Sequence, residues 1–192
     1  MQNSGNLLYR DSKKVINLKS EVLFREAEDD FFYFNKINSA FKKLSKAVEL
    51  TPFHTKSLML LADICFMKGD VKSALTYYSQ AEVVCSDKSK IYASLSNCYY
   101  ALKDFSLAIK YADKSLELLK SDEFSLYSQV VEIKINSLIE LKEYSLANDL
   151  FLQSKNYMDS LAFKSLYNST FEFINEKLKL KKRLSEVKLR IV

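Results

Sequence analysis

Three alanines set the frame of this chain. Ala40, Ala74 and Ala108 stand 34 residues apart, and seven residues beyond each comes another small residue: Ala47, Ala81 and Ser115. At the same interval Leu61 meets Leu95, Ala62 meets Ser96, Cys65 meets Tyr99 and Asp70 meets Asp104. A period of this length is the mark of stacked supersecondary units, none of which can bury its apolar face alone. Small residues stand where two helix backbones approach, and Leu61, Leu95, Tyr78 and Tyr99 fill the space beside them. In LSNCYYALKDFSLAIKY, residues 95–111, the paired tyrosines belong to a first helix. Lys103-Asp104 turns the chain and Phe105 opens a second helix.

Chain punctuation agrees. The 192 residues hold two glycines, Gly5 and Gly69, and one proline, Pro52. Turn-rich β folds lean on both residue types, so an all-α chain with short connections is expected. Apolar residues at 48% and aromatics at 13%, all Phe and Tyr, supply a core. Gly69-Asp70 reads as a helix stop followed by a cap, and Asp87-Lys88-Ser89 as caps before a helix over 90–102. Asp11-Ser12 starts a helix with an apolar stripe at Val15, Ile16, Val22, Leu23, Ala27 and Phe31.

Scarcity restricts the chemistry. Two glycines build no phosphate-cradling loop, and neither GxGxxG nor GxxxxGK[ST] occurs. The one histidine, His54, follows Thr51-Pro52-Phe53 at a helix end, where a solvent-facing loop position is expected. Any Ser-His-Asp arrangement would depend on it. Cys65, Cys85 and Cys98 lack CxxC spacing, and two of them sit in apolar stripes, as reduced thiols do. No enzyme activity, cofactor or metal site is expected. The opening MQNSGNLLYRDSKKV lacks the apolar core of a signal peptide, and no run of about eighteen apolar residues occurs. A soluble, cytoplasmic protein without a transmembrane segment is expected.

On these residues the chain resembles the tetratricopeptide-repeat family, whose unit is a helix-turn-helix of about 34 residues. Residues 89–122 carry the likeness through Tyr92, Leu95, Ser96, Tyr99, Asp104, Phe105, Ala108 and Ser115. Residues 55–88 carry it through Leu58, Leu61, Ala62, Gly69, Asp70, Ala74, Tyr78 and Ala81, with Cys65 in the place of an aromatic. Residues 21–54 match in the second helix, at Ala40, Leu44, Ala47 and Pro52, whereas Ala27 and Glu28 replace the Leu-small pair of the first. A divergent fourth unit, 123–161, shows at Tyr144, Ala147, Phe151 and Ser154, with a long first helix near 124–141 and Lys134-Ile135 at its Leu-small pair. Residues 1–20 read as a partly helical lead-in, and 162–192 as a capping helix and basic tail. The resemblance implies a right-handed α-solenoid of about four antiparallel helix-turn-helix repeats with a C-terminal capping helix.

It also implies a non-enzymatic, adaptor or chaperone-like interaction module whose first helices line a concave groove for a partner peptide or helix. The groove positions carry over to Arg25, Asp29, Phe32 and Tyr33, then Lys56, Met59, Asp63, Phe66 and Met67. Lys90, Asn97 and Tyr100 follow, then Glu132, Asn136 and Ile139. Aromatics and methionines anchor apolar side chains, and the asparagines meet backbone groups. Some relatives clamp a terminal carboxylate with Lys and Asn residues; Asp29 and Asp63 stand where the first Asn is needed, so this clamp is absent.

The tail is the alternative site. Lys177, Lys179, Lys181, Lys182, Arg183, Lys188 and Arg190 against Glu186 give 177–192 a charge of +6, while the whole chain carries +5. Contact with nucleic acid or an anionic surface is the function this charge suggests. The absence of interleaved aromatics argues against stacking on single strands. Leu180, Leu184, Val187 and Ile191 share a helical spacing that gives the tail an apolar side. Phe163, Leu166, Phe171 and Ile174 serve either to cap the last repeat or for self-association.

Overall fold

The computed structural model describes the backbone of residues 3–120, 122–154 and 161–190, and side chains within 14–120, 122–154 and 168–183. Among the described residues the regular elements are helices: α1 (Asn3–Phe32), α2 (Ile37–Leu50), α3 (Thr55–Met67), α4 (Val71–Val84) and α5 (Ser89–Ala101). They continue with α6 (Phe105–Leu118), α7 (Phe124–Glu140), α8 (Tyr144–Ser154) and α9 (Leu161–Arg190). Two units are distinguished, Met1–Asp87 and Lys88–Val192.

One turn recurs. Three residues join α3 to α4, α5 to α6 and α7 to α8, and the middle one is left-handed each time: Gly69 (φ +79°), Lys103 (+62°) and Lys142 (+63°). The next amide reaches back to the carbonyl of Cys65, Tyr99 or Leu138, at 2.9 Å in all three, which satisfies the end of the first helix. Asp70 and Asp104 then accept the Ser73 and Leu107 amides at 3.2 and 3.1 Å, capping α4 and α6. The start of α5 differs from expectation. Its N-cap is Lys88, whose side chain makes no capping bond. Ser89 lies inside the helix, buried, and its carbonyl accepts the Ser115 hydroxyl at 2.8 Å, so that residue anchors α6 to α5.

The periodic small residues sit at helix contacts. Ala40, Ala47, Ala74, Ala81, Ala108 and Ser115 are all fully buried. Ser96 keeps close packing without leaving a polar atom stranded, because its hydroxyl donates to the Ala108 carbonyl at 2.8 Å.

In the first unit α1 packs on α2, α2 on α3 and α3 on α4. Phe24, Ala27, Leu44, Leu60, Leu61 and Ile64 form the core, with Phe31, Phe41 and Tyr77 around it. Asp30 holds α1 to α2: its carboxylate accepts from the Ser39 hydroxyl at 2.7 Å and the Lys43 ammonium at 2.8 Å. The helix expected from Asp11-Ser12 is present, but its early stripe does not bury: Val15, Ile16 and Val22 are exposed. Packing begins at buried Ser20, whose hydroxyl meets that of Thr51 at 2.7 Å.

In the second unit α5 packs on α6, α6 on α7, α7 on α8 and α8 on α9. Val131, Ile135, Leu138, Ala147, Phe151 and Ile174 share one core, and Phe171 stacks on Phe151 with centroids 5.0 Å apart. Phe171 and Ile174 therefore cap the last hairpin. Leu178 continues that stripe against the core, whereas Leu180 is 43% exposed, so the apolar face is set by 171, 174 and 178. The side chains of Phe163, Leu166, Leu184, Val187 and Ile191 lie outside the described residues. Cys65 and Cys98 are buried and form no disulfide, and burial pushes the Cys65 thiol up from its ordinary pKa.

Candidate functional site

On α1, Glu21, Phe24, Arg25, Glu28, Asp29 and Phe32 share one face at helical spacing; on α3, Lys56, Met59, Leu60 and Asp63 do the same. The two faces meet across an open groove of about 630 Å³. The groove brings together the sequence-expected Arg25, Asp29, Phe32, Lys56, Met59 and Asp63. Tyr33 lies one residue past α1 and is exposed; Phe66 is half-buried and Met67 exposed in the last turn of α3, and these three do not line the groove. Sequence reasoning misses Glu21, Phe24, Glu28 and Leu60. Extending the stripe of Arg25 and Asp29 back one turn reaches Glu21, and their preceding residues, Phe24 and Glu28, fall on the same face.

A polar clip holds one end. The Glu21 carboxylate accepts from Lys56 Nζ and faces His54 Nε2, each at 3.0 Å, and the Arg25 guanidinium stands 3.8 Å away. The Lys56 ammonium, and His54 after it, hold the Glu21 carboxyl below its ordinary range. His54 is not the solvent-facing loop residue expected: its side chain is 14% exposed and its ring lies 5.7 Å from that of Phe24. His54 Nδ1 meets Ser57 Oγ at 2.7 Å, completing a Ser-His-Glu line like that of a hydrolase. Ser57 is fully buried, so no acyl carbonyl reaches its hydroxyl. The line ties α1 to the first turn of α3.

The other end is carboxylate-rich. Asp63 accepts from the Tyr78 hydroxyl, yet the surrounding protein outweighs that bond and keeps its carboxyl above the ordinary range. Asp63 itself remains exposed to solvent along the groove. Glu28 and Asp29 have no ion-pair partner among the described residues.

The second unit sets α5 and α7 side by side. Asn97, Tyr100, Glu132 and Asn136 are half-buried. Tyr100 tilts on Phe105 at 5.7 Å, and burial, with Glu140 and Glu132 nearby, pushes its hydroxyl up. Ile139 packs on the core of the unit. A smaller hollow of about 330 Å³ is lined by Lys90 with Glu123, Phe124 and Gln129.

On α9, Lys177 lies over the Phe173 ring at 5.0 Å, and Lys179, Lys181, Lys182 and Arg183 are exposed. The Lys188 and Arg190 side chains lie outside the described residues. Among the described residues no three His, Cys, Asp or Glu side chains gather as a metal site, and no helix is long and apolar enough to cross a membrane.

No family model matches the chain. Solved structures do. The first TPR of Spaghetti (RPAP3) bound to an HSP90 peptide is similar at TM-score 0.55 and 20% identity, over 61% of this chain and 91% of that one. Pseudomonas aeruginosa pilF is similar at TM-score 0.67 and 16% identity, over 85% and 71% respectively. MamA is similar at TM-score 0.63 and 12% identity, over 82% and 96%. With the recurring left-handed turn, the buried alanine period and these likenesses, the chain has the tetratricopeptide-repeat fold.

Proposed function

We propose that this protein is a non-enzymatic protein-interaction module that holds a segment of a partner polypeptide in the groove between α1 and α3. The carrying observation is the groove itself: an open channel in which Phe32 and Met59 alternate with carboxylates. Apolar anchors beside fixed polar groups suit a peptide, whose side chains alternate in the same way. The RPAP3 neighbour is bound to an HSP90 peptide, and the same mode of use is assigned to this chain. The Ser57–His54–Glu21 line behind the groove lends no support to catalysis, because it ends on a buried hydroxyl.

An array of peptides about a dozen residues long tests the assignment. Wild-type protein is expected to retain a subset, and Phe32→Ala with Met59→Ala to lose it while the thermal midpoint falls by only a few degrees. Phe32 is 65% exposed and Met59 half-buried, so the fold depends little on either. An unchanged binding pattern in the double variant rejects the groove.

A further inference from the structure

The side chains lining the α1–α3 groove include Glu21, Glu28, Asp29 and Asp63 against Arg25 and Lys56, a formal charge of −2. The charge is not spread evenly. Glu21 meets Lys56 directly, and Phe32 and Asp63 line the same groove, so the two helices run the same way and keep one register. Residue 28 then stands level with residue 63, seven residues or about 10 Å along the axis from the Glu21–Lys56 clip. At the clip, the carboxylate is matched by Lys56, His54 and Arg25. At the far level Glu28, Asp29 and Asp63 line the groove, and none of the three has an ion-pair partner among the described residues.

We propose that the segment held in this groove is basic. A Lys or Arg side chain sets its charge against Glu28, Asp29 and Asp63, and an adjoining apolar side chain lies on Phe32 and Met59. The inference rests on the interaction-module reading above and deepens it by giving the chemistry of the partner. A cation is favoured because the groove lining carries a net charge of −2, with its unpaired carboxylates at this end. A cleft lined by one sign of charge attracts the opposite sign and disfavours an acidic guest. An extended segment advances about 3.3 Å per residue. The position about three residues from the cation therefore lies at the clip, where Arg25 and Lys56 accept a neutral or acidic side chain.

The experiment uses the full chain and peptides about a dozen residues long. An array presents one apolar frame with Lys or Arg, Gln, or Glu at each position, and the best binder is labelled for fluorescence anisotropy beside its Glu-substituted twin. The expected result is a basic peptide bound about tenfold or more tightly than its twin, with a preference that shrinks at high salt. Asp29→Asn with Asp63→Asn is expected to remove most of that difference; the amide introduced at position 63 keeps an acceptor for the Tyr78 hydroxyl. Should the pair disturb folding, exposed Asp29→Lys serves alone, and is expected to move the preference toward the Glu twin. Equal binding of both peptides, lost in Phe32→Ala with Met59→Ala, leaves the groove reading standing and overturns the basic inference. Peptide binding that ignores every groove substitution overturns both. Salt-sensitive dimers in light scattering that the same aspartate changes abolish, without any peptide effect, give the groove to a second copy and overturn it as well.

Discussion

Asp30 shows how one side chain can decide where a helix docks. Nearly all of its surface is covered, and it faces Lys43 and the Ser39 hydroxyl across the α1–α2 contact. The Lys43 ammonium foremost, then Ser39, hold its carboxyl below the ordinary value of 3.8. A folded pKa below the unfolded one means the contribution is complete above pH 3.8 and lost as pH falls through the lower folded value. Glu21 works in the same direction from 4.5, whereas Asp63, raised above 3.8, gains stability when protonated and partly offsets both. The thermal midpoint of the wild type is therefore expected to drop more steeply below pH 3.8 than that of Asp30→Asn, measured by circular dichroism from neutral pH downward. Parallel curves for the two proteins would show that Asp30 is not held as described. Little of this is legible in the sequence. Asp30 carries no periodic signal, and its two partners lie nine and thirteen residues on, in the next helix. His54 misleads for a related reason: a residue beside Pro52 reads as a loop, but the long α1 brings Glu21 and Phe24 over it.

At the scale of helices, the sequence is far more open. Ala40, Ala74 and Ala108 announce close approach by their small side chains, and all three are fully buried. Ala108→Leu is expected to cost about 1–3 kcal/mol through overpacking against α5, read by denaturant unfolding; Ser106→Leu, on the exposed side of the same helix, is expected to be near neutral. The turns are legible where an N-cap Asp follows, at Asp70 and Asp104, even though only Gly69 supplies the residue that left-handed geometry favours. Lys103 and Lys142 adopt the same φ without that advantage, so a search for glycine alone passes over two of the three turns. Two stripes read differently in sequence and structure. The early stripe of α1 is left exposed among the described residues, and the stripe of α9 lies at Phe171, Ile174 and Leu178, which a 3-4 spacing allows as readily as the one through Leu180.

For the whole molecule, the period carries the architecture and the stripe positions carry part of the groove. Arg25, Asp29, Phe32, Met59 and Asp63 come together because the first helices of consecutive hairpins run parallel and share a face. Tyr33, Phe66 and Met67 do not line it: α1 ends at Phe32, and Phe66 and Met67 lie one turn beyond Asp63 at the very end of α3. Glu21 and Phe24 belong to the part of α1 ahead of Arg25, where the expected groove positions stop. The central claim is that this face grips another polypeptide while the second helices serve packing. Photo-crosslinking tests it most directly, with a benzophenone side chain placed either at Met59, in the groove, or at Thr76, exposed on α4. Irradiation with the array-selected peptide is predicted to yield peptide adducts from position 59 and only background from position 76. Adducts from position 76 with none from 59 would contradict the account.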